Sequence, residues 1–137
     1  MELRFATRDD IAELQRIRGA VRENRLVSTV IGVDDYVRYQ AGTARTWVAL
    51  LDGRIAGFAS GDRATGNIWA LFVDPIYEGL GVGRALHDAM ITWLHEVTPM
   101  LWLTTERGTR AEHFYRAAGW RETAELGVEL RFELART

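Results

Sequence analysis

The chain alternates between short apolar runs and segments in which apolar residues recur every three or four positions. Residues 2–6 alternate as a half-buried strand does. Thr7 follows that strand, and Asp10 stands three residues later, which is the spacing of a helix capping box. A stripe at helical spacing comes next and would face a core: Ile11, Leu14, Ile17 and Val21. The pattern predicts a strand and then a helix that begins near Arg8.

Two apolar runs in the next third of the chain predict a hairpin. Residues 24–42 are less regular and predict a loop followed by a short helix over Asp34 to Gln40. Residues 46–51 and 55–60 then flank Asp52-Gly53, and Asp-Gly between apolar runs favours a tight turn because both residues tolerate positive φ. We therefore expect these two strands to be antiparallel neighbours.

The middle of the chain has the order strand, loop, helix, strand. Residues 67–73 form an apolar run that Asp74-Pro75 ends, because proline cannot donate to a strand ladder. A glycine-rich loop follows, and then a helical stripe that runs into a second apolar run at 100–105. This order is a βαβ unit and implies two parallel neighbouring strands.

The last third predicts one more helix and a strand pair. Its stripe recurs at helical spacing: Ala111, Phe114, Tyr115 and Ala118. Gly119 is placed to end the helix, and residues 120–126 and 128–134 predict an antiparallel pair around Gly127. The predicted fold is a mixed α/β sheet with helices on its faces.

Composition and charge limit the function. A chain of 137 residues, 47% apolar, suits a single domain over 1–137. It contains no cysteine, which excludes disulfides, thiolate metal sites and thiol catalysis. The net charge of −2, without a basic stripe, argues against a nucleic-acid partner. No metal site is expected, because the three histidines do not form a ligand pair: His87, His95 and His113.

Neither a leader nor a membrane-spanning run stands in the sequence, so we expect a cytoplasmic protein with no membrane partner. The oligomeric state is not readable from the sequence, and a homodimer stays open.

The loop 79–83, Gly-Leu-Gly-Val-Gly, lies after a strand and before a helix, where bare amides can cradle a phosphate. A P-loop needs a Gly-Lys-Ser/Thr ending that this loop lacks. The dinucleotide fingerprint needs a third small residue, but Arg84 or Leu86 stands at that position in the two possible alignments. The glycine spacing therefore excludes two common nucleotide loops, and a plain tight turn remains the alternative.

Two motifs resemble the GCN5-related N-acetyltransferase (GNAT) family. Gly81 and Gly83 match the small positions of its pyrophosphate loop, [QR]-x-x-G-x-[GA], although Glu78 stands where Gln or Arg is usual. A second motif, A-x-x-F-Y-x-x-x-G-[FW], matches residues 111–120, whereas Gly108 replaces an asparagine that is common three residues before its alanine. We expect the Glu78 carboxylate to point away from the phosphates.

The resemblance implies a GNAT-like acyl-CoA N-acyltransferase fold, mostly antiparallel, with a central parallel pair splayed at the cofactor site. In the family the strand before the loop bulges and frees backbone amides, so the backbone of Phe72 and Val73 inherits the contacts with the thioester and pantetheine. The resemblance also implies a cofactor loop: Gly79, Leu80, Gly81, Val82 and Gly83. Arg84, at the start of the helix, is a candidate for a CoA phosphate contact, and an outward arginine is the alternative.

Roles in catalysis follow from the same resemblance. Tyr115 matches the family's general acid, which would protonate the departing thiolate. The strand before the loop has no acid, so Glu106 is our candidate base, with Asp62 and Asp74 as rivals. Trp69 is the tryptophan expected to line the acceptor pocket. Asp34 and Asp35 are candidates for an acidic lip there, or are solvated acids at the start of a helix.

The function implied is an acetyl-CoA-dependent N-acetyltransferase that needs no metal and moves acetyl directly to a primary amine of unidentified acceptor. The alternative is a non-catalytic acyl-CoA-binding or interaction module on the same fold. A dinucleotide-binding oxidoreductase ranks third, because of the glycine spacing.

Overall fold

The computed structural model describes residues 1–21 and 31–137. Seven strands are present in this part of the chain: β1 (Glu2–Phe5), β2 (Ala44–Leu51), β3 (Arg54–Asp62), β4 (Ile68–Val73), β5 (Met100–Glu106), β6 (Arg121–Leu126) and β7 (Glu129–Ala135). The α-helices described are α1 (Ile11–Ala20), α2 (Val33–Arg38), α3 (Val82–His95) and α4 (Arg110–Ala117). Two 3-10 turns, Arg8–Asp10 and Pro75–Tyr77, precede α1 and the glycine loop.

The first four strands form an antiparallel sheet in the order β1-β2-β3-β4. The predicted hairpin between β2 and β3 is confirmed, with φ of 51° at Asp52 and 76° at Gly53. These left-handed values are the ones a two-residue type I′ turn requires.

The remaining strands form a second antiparallel sheet in the order β5-β7-β6. The predicted pairing of the last two strands is confirmed. However, β7 also lies beside β5, with Leu103 opposite Phe132, so the last strand of the chain occupies the middle of this sheet.

β4 and β5 run parallel, as the βαβ unit predicts, but they separate almost at once. Asn67 and Trp102 form an isolated parallel bridge, in which the Trp102 N–H donates to Gly66 O at 2.9 Å. Beyond it the two strands belong to different hydrogen-bonded sheets, so the expected neighbours are a splayed pair.

Helices cover both faces of this arrangement. One core cluster packs α3 against both sheets through Leu86, Met90 and Leu94, which are fully buried. A second cluster packs α1 and α2 against the opposite face of the first sheet, through Ile17, Tyr36 and neighbouring residues. The mixed α/β fold with helices on both faces is therefore confirmed.

The first helix begins close to the predicted position. A 3-10 turn starts at Arg8 and continues into α1, and Asp10 Oδ2 accepts the Thr7 N–H at 2.7 Å, as the capping box predicts. The short helix predicted over Asp34 to Gln40 is α2. The loop predicted before it lies partly outside the described residues, at 22–30. Within the described residues, no helix has the length and apolarity needed to cross a membrane.

Candidate active site

The edge of β4 that faces β5 carries backbone groups that pair with no residue of the ranges 1–21 and 31–137. The Asp74 N–H donates to Ala56 O on β3 at 2.8 Å. Since amides on a strand alternate in direction, the backbone groups of Phe72 also point toward β3, and those of Leu71 and Val73 point into the gap. The sequence predicted cofactor contacts from the backbone of Phe72 and Val73, and this geometry gives an open amide at Val73 and adds Leu71.

The bulge in β4 lies near the start of the strand. The resemblance to the family predicted it near the end of the strand, where the freed amides were expected. Ala70 pairs with Ser60 and Ile68 with Gly61, so Trp69 is the extra residue. A bulge breaks the alternation of side chains along a strand. It places Trp69 with Ala70 and Phe72 in the cluster under α1 and α2, while Ile68 faces α3.

The opposite wall of the gap is the free edge of β5. The Trp102 N–H points toward β4, so alternation directs the backbone groups of Thr104 and Glu106 into the gap as well. The side chains of Leu101 and Leu103 lie in the cluster under α3, and that of Glu106 therefore projects from the other face.

The glycine loop lies at the end of β4 and opens onto the first turn of α3. Gly79 and Gly81 have φ of 77° and 80°, and a Cβ added at either would meet no atom within 4 Å. The first helical hydrogen bond runs from the Ala85 N–H to Gly81 O at 3.1 Å. The amides of Val82, Gly83 and Arg84 precede it and have no partner within the helix.

A pyrophosphate therefore fits this loop. Open space over two left-handed glycines lets a phosphate come close to the backbone, and the unpaired amides at the positive end of a 14-residue helix suit an anion. Gly83 packs tightly beneath, since a Cβ there would lie 3.4 Å from Val73 Cγ2. The predicted loop thus joins the open edge of β4, while Leu80 is 59% exposed at its tip.

Two arginines lie beside the loop, each next to a carboxylate. Arg84 Nε is 3.3 Å from Asp88 Oδ2 one turn along α3, and both side chains are more than half exposed. Glu78 Oε2 lies 2.6 Å from Arg110 Nη1, at the start of α4. The Glu78 carboxylate is thus turned to α4, where an arginine neutralises it.

Tyr115 lies in the α4 segment that follows β5, in the core cluster that contains α3. Its ring is 6% exposed and lies among aromatic rings, with centroids 5.4 Å from Phe114 and 5.6 Å from Trp120. In the described part of the chain no hydrogen bond engages its hydroxyl. Burial raises the pKa of Tyr115 well above its usual value, so the hydroxyl stays protonated at neutral pH.

The sequence did not predict a buried histidine bond that joins the two motifs. The Trp120 indole N–H donates to His87 Nε2 at 3.0 Å, and His87 Nδ1 lies 2.9 Å from Asp88 Oδ1. Because Nε2 accepts, the proton must be on Nδ1. Burial lowers the pKa of His87, in keeping with a neutral ring. His87 falls on the apolar side of α3, but nothing local indicates its partner, which lies 33 residues away.

The three candidate bases differ in their surroundings. Asp74 is 2% exposed and pairs with Arg16 at 2.7 Å, so it holds α1 to the end of β4. Asp62 accepts hydrogen bonds from Thr43 Oγ1 and Ala64 N in the turn before β4, a whole strand from the loop. Glu106 is the last residue of β5, as Val73 is of β4, and the two strands run parallel. Glu106 therefore lies at the same end of the gap as Val73, and of the three candidate bases it is the best placed.

The face under α1 and α2 carries an aromatic cluster beside β4. Trp69 stacks on Tyr39 with centroids 4.4 Å apart, and the Arg18 guanidinium lies 4.9 Å from the Trp69 ring and 4.8 Å from Phe72. Asp35 accepts the Gly32 N–H at 2.9 Å and caps α2, which agrees with the alternative of an acid at the start of a helix.

Gly108 stands where the family often has asparagine, and it forms part of a turn. Its φ is 82°, and its N–H donates to Glu112 Oε1 at 2.7 Å. The glycine therefore shapes the entry to α4 and offers no side chain to a ligand.

Comparison with known proteins gives a direct match. The family model described as "Acetyltransferase (GNAT) family" matches residues 10–120, which is most of the chain. The chain belongs to the GNAT acetyltransferase family. As a member, this GNAT chain is an N-acetyltransferase.

Solved structures agree with the GNAT fold. The chain is similar to the ribosomal-protein-alanine N-acetyltransferase from Brucella melitensis, with TM-score 0.78, 20% identity, and coverage of 99% of this chain and 100% of that one. It is also similar to the PaiA N-acetyltransferase from Thermoplasma acidophilum in complex with coenzyme A, with TM-score 0.83, 15% identity, and 98% of each chain covered. Ard1 from Thermoplasma volcanium gives TM-score 0.82 at 20% identity, over 98% of this chain and 96% of that one. No curated protein matches the sequence.

Proposed function

We propose that residues 1–137 act as one acetyl-CoA-dependent N-acetyltransferase domain that moves an acetyl group directly from CoA to a primary amine. The observation that carries the proposal is that two sets of backbone amides lie side by side. The amides at the start of α3, which have no partner within the helix, lie beside the open edge of β4 at Val73. One anion cradle and one row of free backbone donors are what a phosphorylated thioester needs.

The loop amides and Arg84 would hold the pyrophosphate of CoA, and the open amides of Val73 and Leu71 would take the acyl arm. An N–H that already points into the gap stabilises the negative charge that develops on the thioester oxygen, without reorganising first. Removal of such a donor typically costs about 100- to 1,000-fold in turnover.

Tyr115 would act as the general acid. When the amine nitrogen bonds to the acyl carbon, the carbon–sulfur bond breaks and the sulfur takes a proton from the tyrosine hydroxyl. A hydroxyl that burial keeps protonated, and that no described group engages, is available for this transfer.

Glu106 would receive the proton that the amine loses, directly or through water. Its side chain projects from the face opposite the α3 cluster, on the side where Trp69 and Phe72 lie. The acceptor would thus approach from the α1 and α2 side, while the acyl donor lies against α3 and α4. Direct transfer agrees with the absence of cysteine from the sequence, which leaves no thiol to carry the acetyl group.

Two measurements on the purified chain test the proposal. Acetyl-CoA and CoA should raise the melting temperature and NAD should not, because a ligand that binds only the native state stabilises it by mass action. Thiol release from acetyl-CoA should then depend on an added amine, in a panel with an N-terminal alanine peptide, a lysine peptide, a polyamine and an amino acid. Stabilisation by NAD alone would refute the proposal. Binding without thiol release across the whole panel would support the non-catalytic module instead.

A further inference from the structure

We propose that Arg110 is a phosphate-binding residue of the acyl-CoA site, held at the glycine loop by Glu78. The inference rests on the proposed function and adds a residue that the loop motif does not contain. Arg110 is the first residue of α4, 32 positions along the chain from Glu78.

The starting point is a charge problem at the loop. Glu78 directly precedes Gly79, where most of the family has glutamine or arginine, and an anion there would repel a pyrophosphate. The structure places Arg110 Nη1 2.6 Å from Glu78 Oε2. Together the two side chains carry no net charge, so the pair removes the repulsion.

The geometry also places Arg110 where it can contact a phosphate at the loop. Glu78 directly precedes Gly79, so the Arg110 guanidinium bonded to its carboxylate lies at the entry of the loop. The Arg110 side chain is 69% exposed and that of Glu78 44%, so the guanidinium can still be reached by a ligand. The planar fork of an arginine guanidinium matches the geometry of a phosphate as well as that of a carboxylate.

The pair does not have the features of a structural anchor. Ion pairs this exposed contribute little to folding stability, because water and salt screen them. By contrast, Arg16 forms an ion pair with Asp74, whose side chain is only 3% exposed, and this pair fixes α1 against β4. The exposed Glu78–Arg110 pair is better placed to meet an anionic ligand than to hold the fold.

The test is a double-mutant cycle on acetyl-CoA affinity, measured by calorimetry at low and moderate salt. Arg110→Ala should weaken binding about tenfold, the size expected for one charge-assisted hydrogen bond. Glu78→Gln should leave the affinity unchanged or slightly improved. Adding Glu78→Gln to Arg110→Ala should recover part of the loss, because the carboxylate repels phosphate only when its arginine is gone.

Two controls separate phosphate binding from a general effect. S-acetylpantetheine, which lacks the pyrophosphate, should be used as donor equally well by the unaltered chain and by Arg110→Ala. Arg107→Ala removes a neighbouring exposed arginine that pairs with Glu125 at 3.3 Å, and acetyl-CoA affinity should not change. Melting temperatures should agree among all variants.

The outcomes are distinct. If the unaltered chain binds acetyl-CoA but Arg110→Ala binds it within twofold as well, the inference is wrong. An equal loss with S-acetylpantetheine would also overturn it. If the unaltered chain does not bind acetyl-CoA at all, the proposed function fails, and this inference fails with it.

Discussion

The proposed role of Tyr115 as general acid can be tested by removing a single oxygen atom. Tyr115→Phe removes that atom and keeps the ring, whose packing against Phe114 and Trp120 is aromatic. The hydroxyl makes no hydrogen bond to another described residue, so no buried partner is left unsatisfied by the change. We expect the free energy of unfolding to change by less than about 1.5 kcal/mol, as for other core substitutions that keep the side-chain volume.

The effect on chemistry should be much larger. A positioned general acid contributes about 100- to 10,000-fold to the rate, which corresponds to about 2.7 to 5.5 kcal/mol of activation free energy. Acetyl-CoA affinity should not change, because the loop amides and the edge of β4 are untouched. The predicted signature is a fall in kcat at constant Kd and constant melting temperature.

The assay is thiol release at saturating acetyl-CoA and acceptor, with calorimetry for binding and thermal unfolding for stability. Tyr36→Phe is the comparison variant, because Tyr36 is also buried, at 2% exposed, but belongs to the other core cluster. Its hydroxyl is hydrogen-bonded to Arg18, so this variant is expected to lose more stability than Tyr115→Phe. Its turnover should stay within a few-fold of the unaltered chain. Retained turnover in Tyr115→Phe, or equal losses in the two variants, would refute the assignment of Tyr115 as the acid.

Three further predictions concern other parts of the site. Glu106→Gln should lower turnover at least tenfold without loss of stability. Asp74→Asn should instead cost about 1 to 3 kcal/mol of stability, because it weakens the pairing of a buried carboxylate with Arg16. Kinetics and thermal unfolding measure the two effects, and the reverse pattern would exchange the roles of Glu106 and Asp74. Gly81→Ala should weaken acetyl-CoA binding and cost about 1 kcal/mol of stability, because the left-handed φ of 80° is strained for any residue with a Cβ; calorimetry and denaturant unfolding measure the two effects. Burial lowers the pKa of His87, so below about pH 6.5 the unfolded chain takes up a proton that the native one resists, and stability should fall. His87→Gln should flatten the loss between pH 7 and 5.5 in thermal unfolding, and an unchanged slope would contradict that origin.

Local features of the fold could be predicted because their causes are local. The capping box at Thr7 and the Asp52-Gly53 turn depend on residues within a few positions of one another. The glycine spacing excluded two other nucleotide loops. The structure adds that Gly79 and Gly81 both have positive φ, which glycine adopts without strain. The resemblance of the two motifs then indicated the family that the matched model shows.

The site itself depends on contacts between distant residues. Glu78 and Arg110 are far apart in sequence, as are Trp120 and His87, and no local pattern tells which partner a polar side chain will find. The sequence analysis gave Asp74 as a possible base. In the structure its carboxylate instead accepts a hydrogen bond from Arg16, 58 residues earlier in the chain.

The sequence by itself determined the order and type of most elements, the turns and the place of the glycine loop. These features follow from hydrophobic period and backbone preference, which act over a few residues. Only the tertiary structure decided that β7 enters between β5 and β6, that β4 and β5 separate after one bridge, and that the amides at Leu71 and Val73 stay open. The reason is that the backbone groups of a strand edge form hydrogen bonds with the strand that the packing of the whole chain brings beside them. At the gap between the two sheets no described residue pairs with the edge of β4 beyond the single bridge, and we propose that the acyl donor binds there.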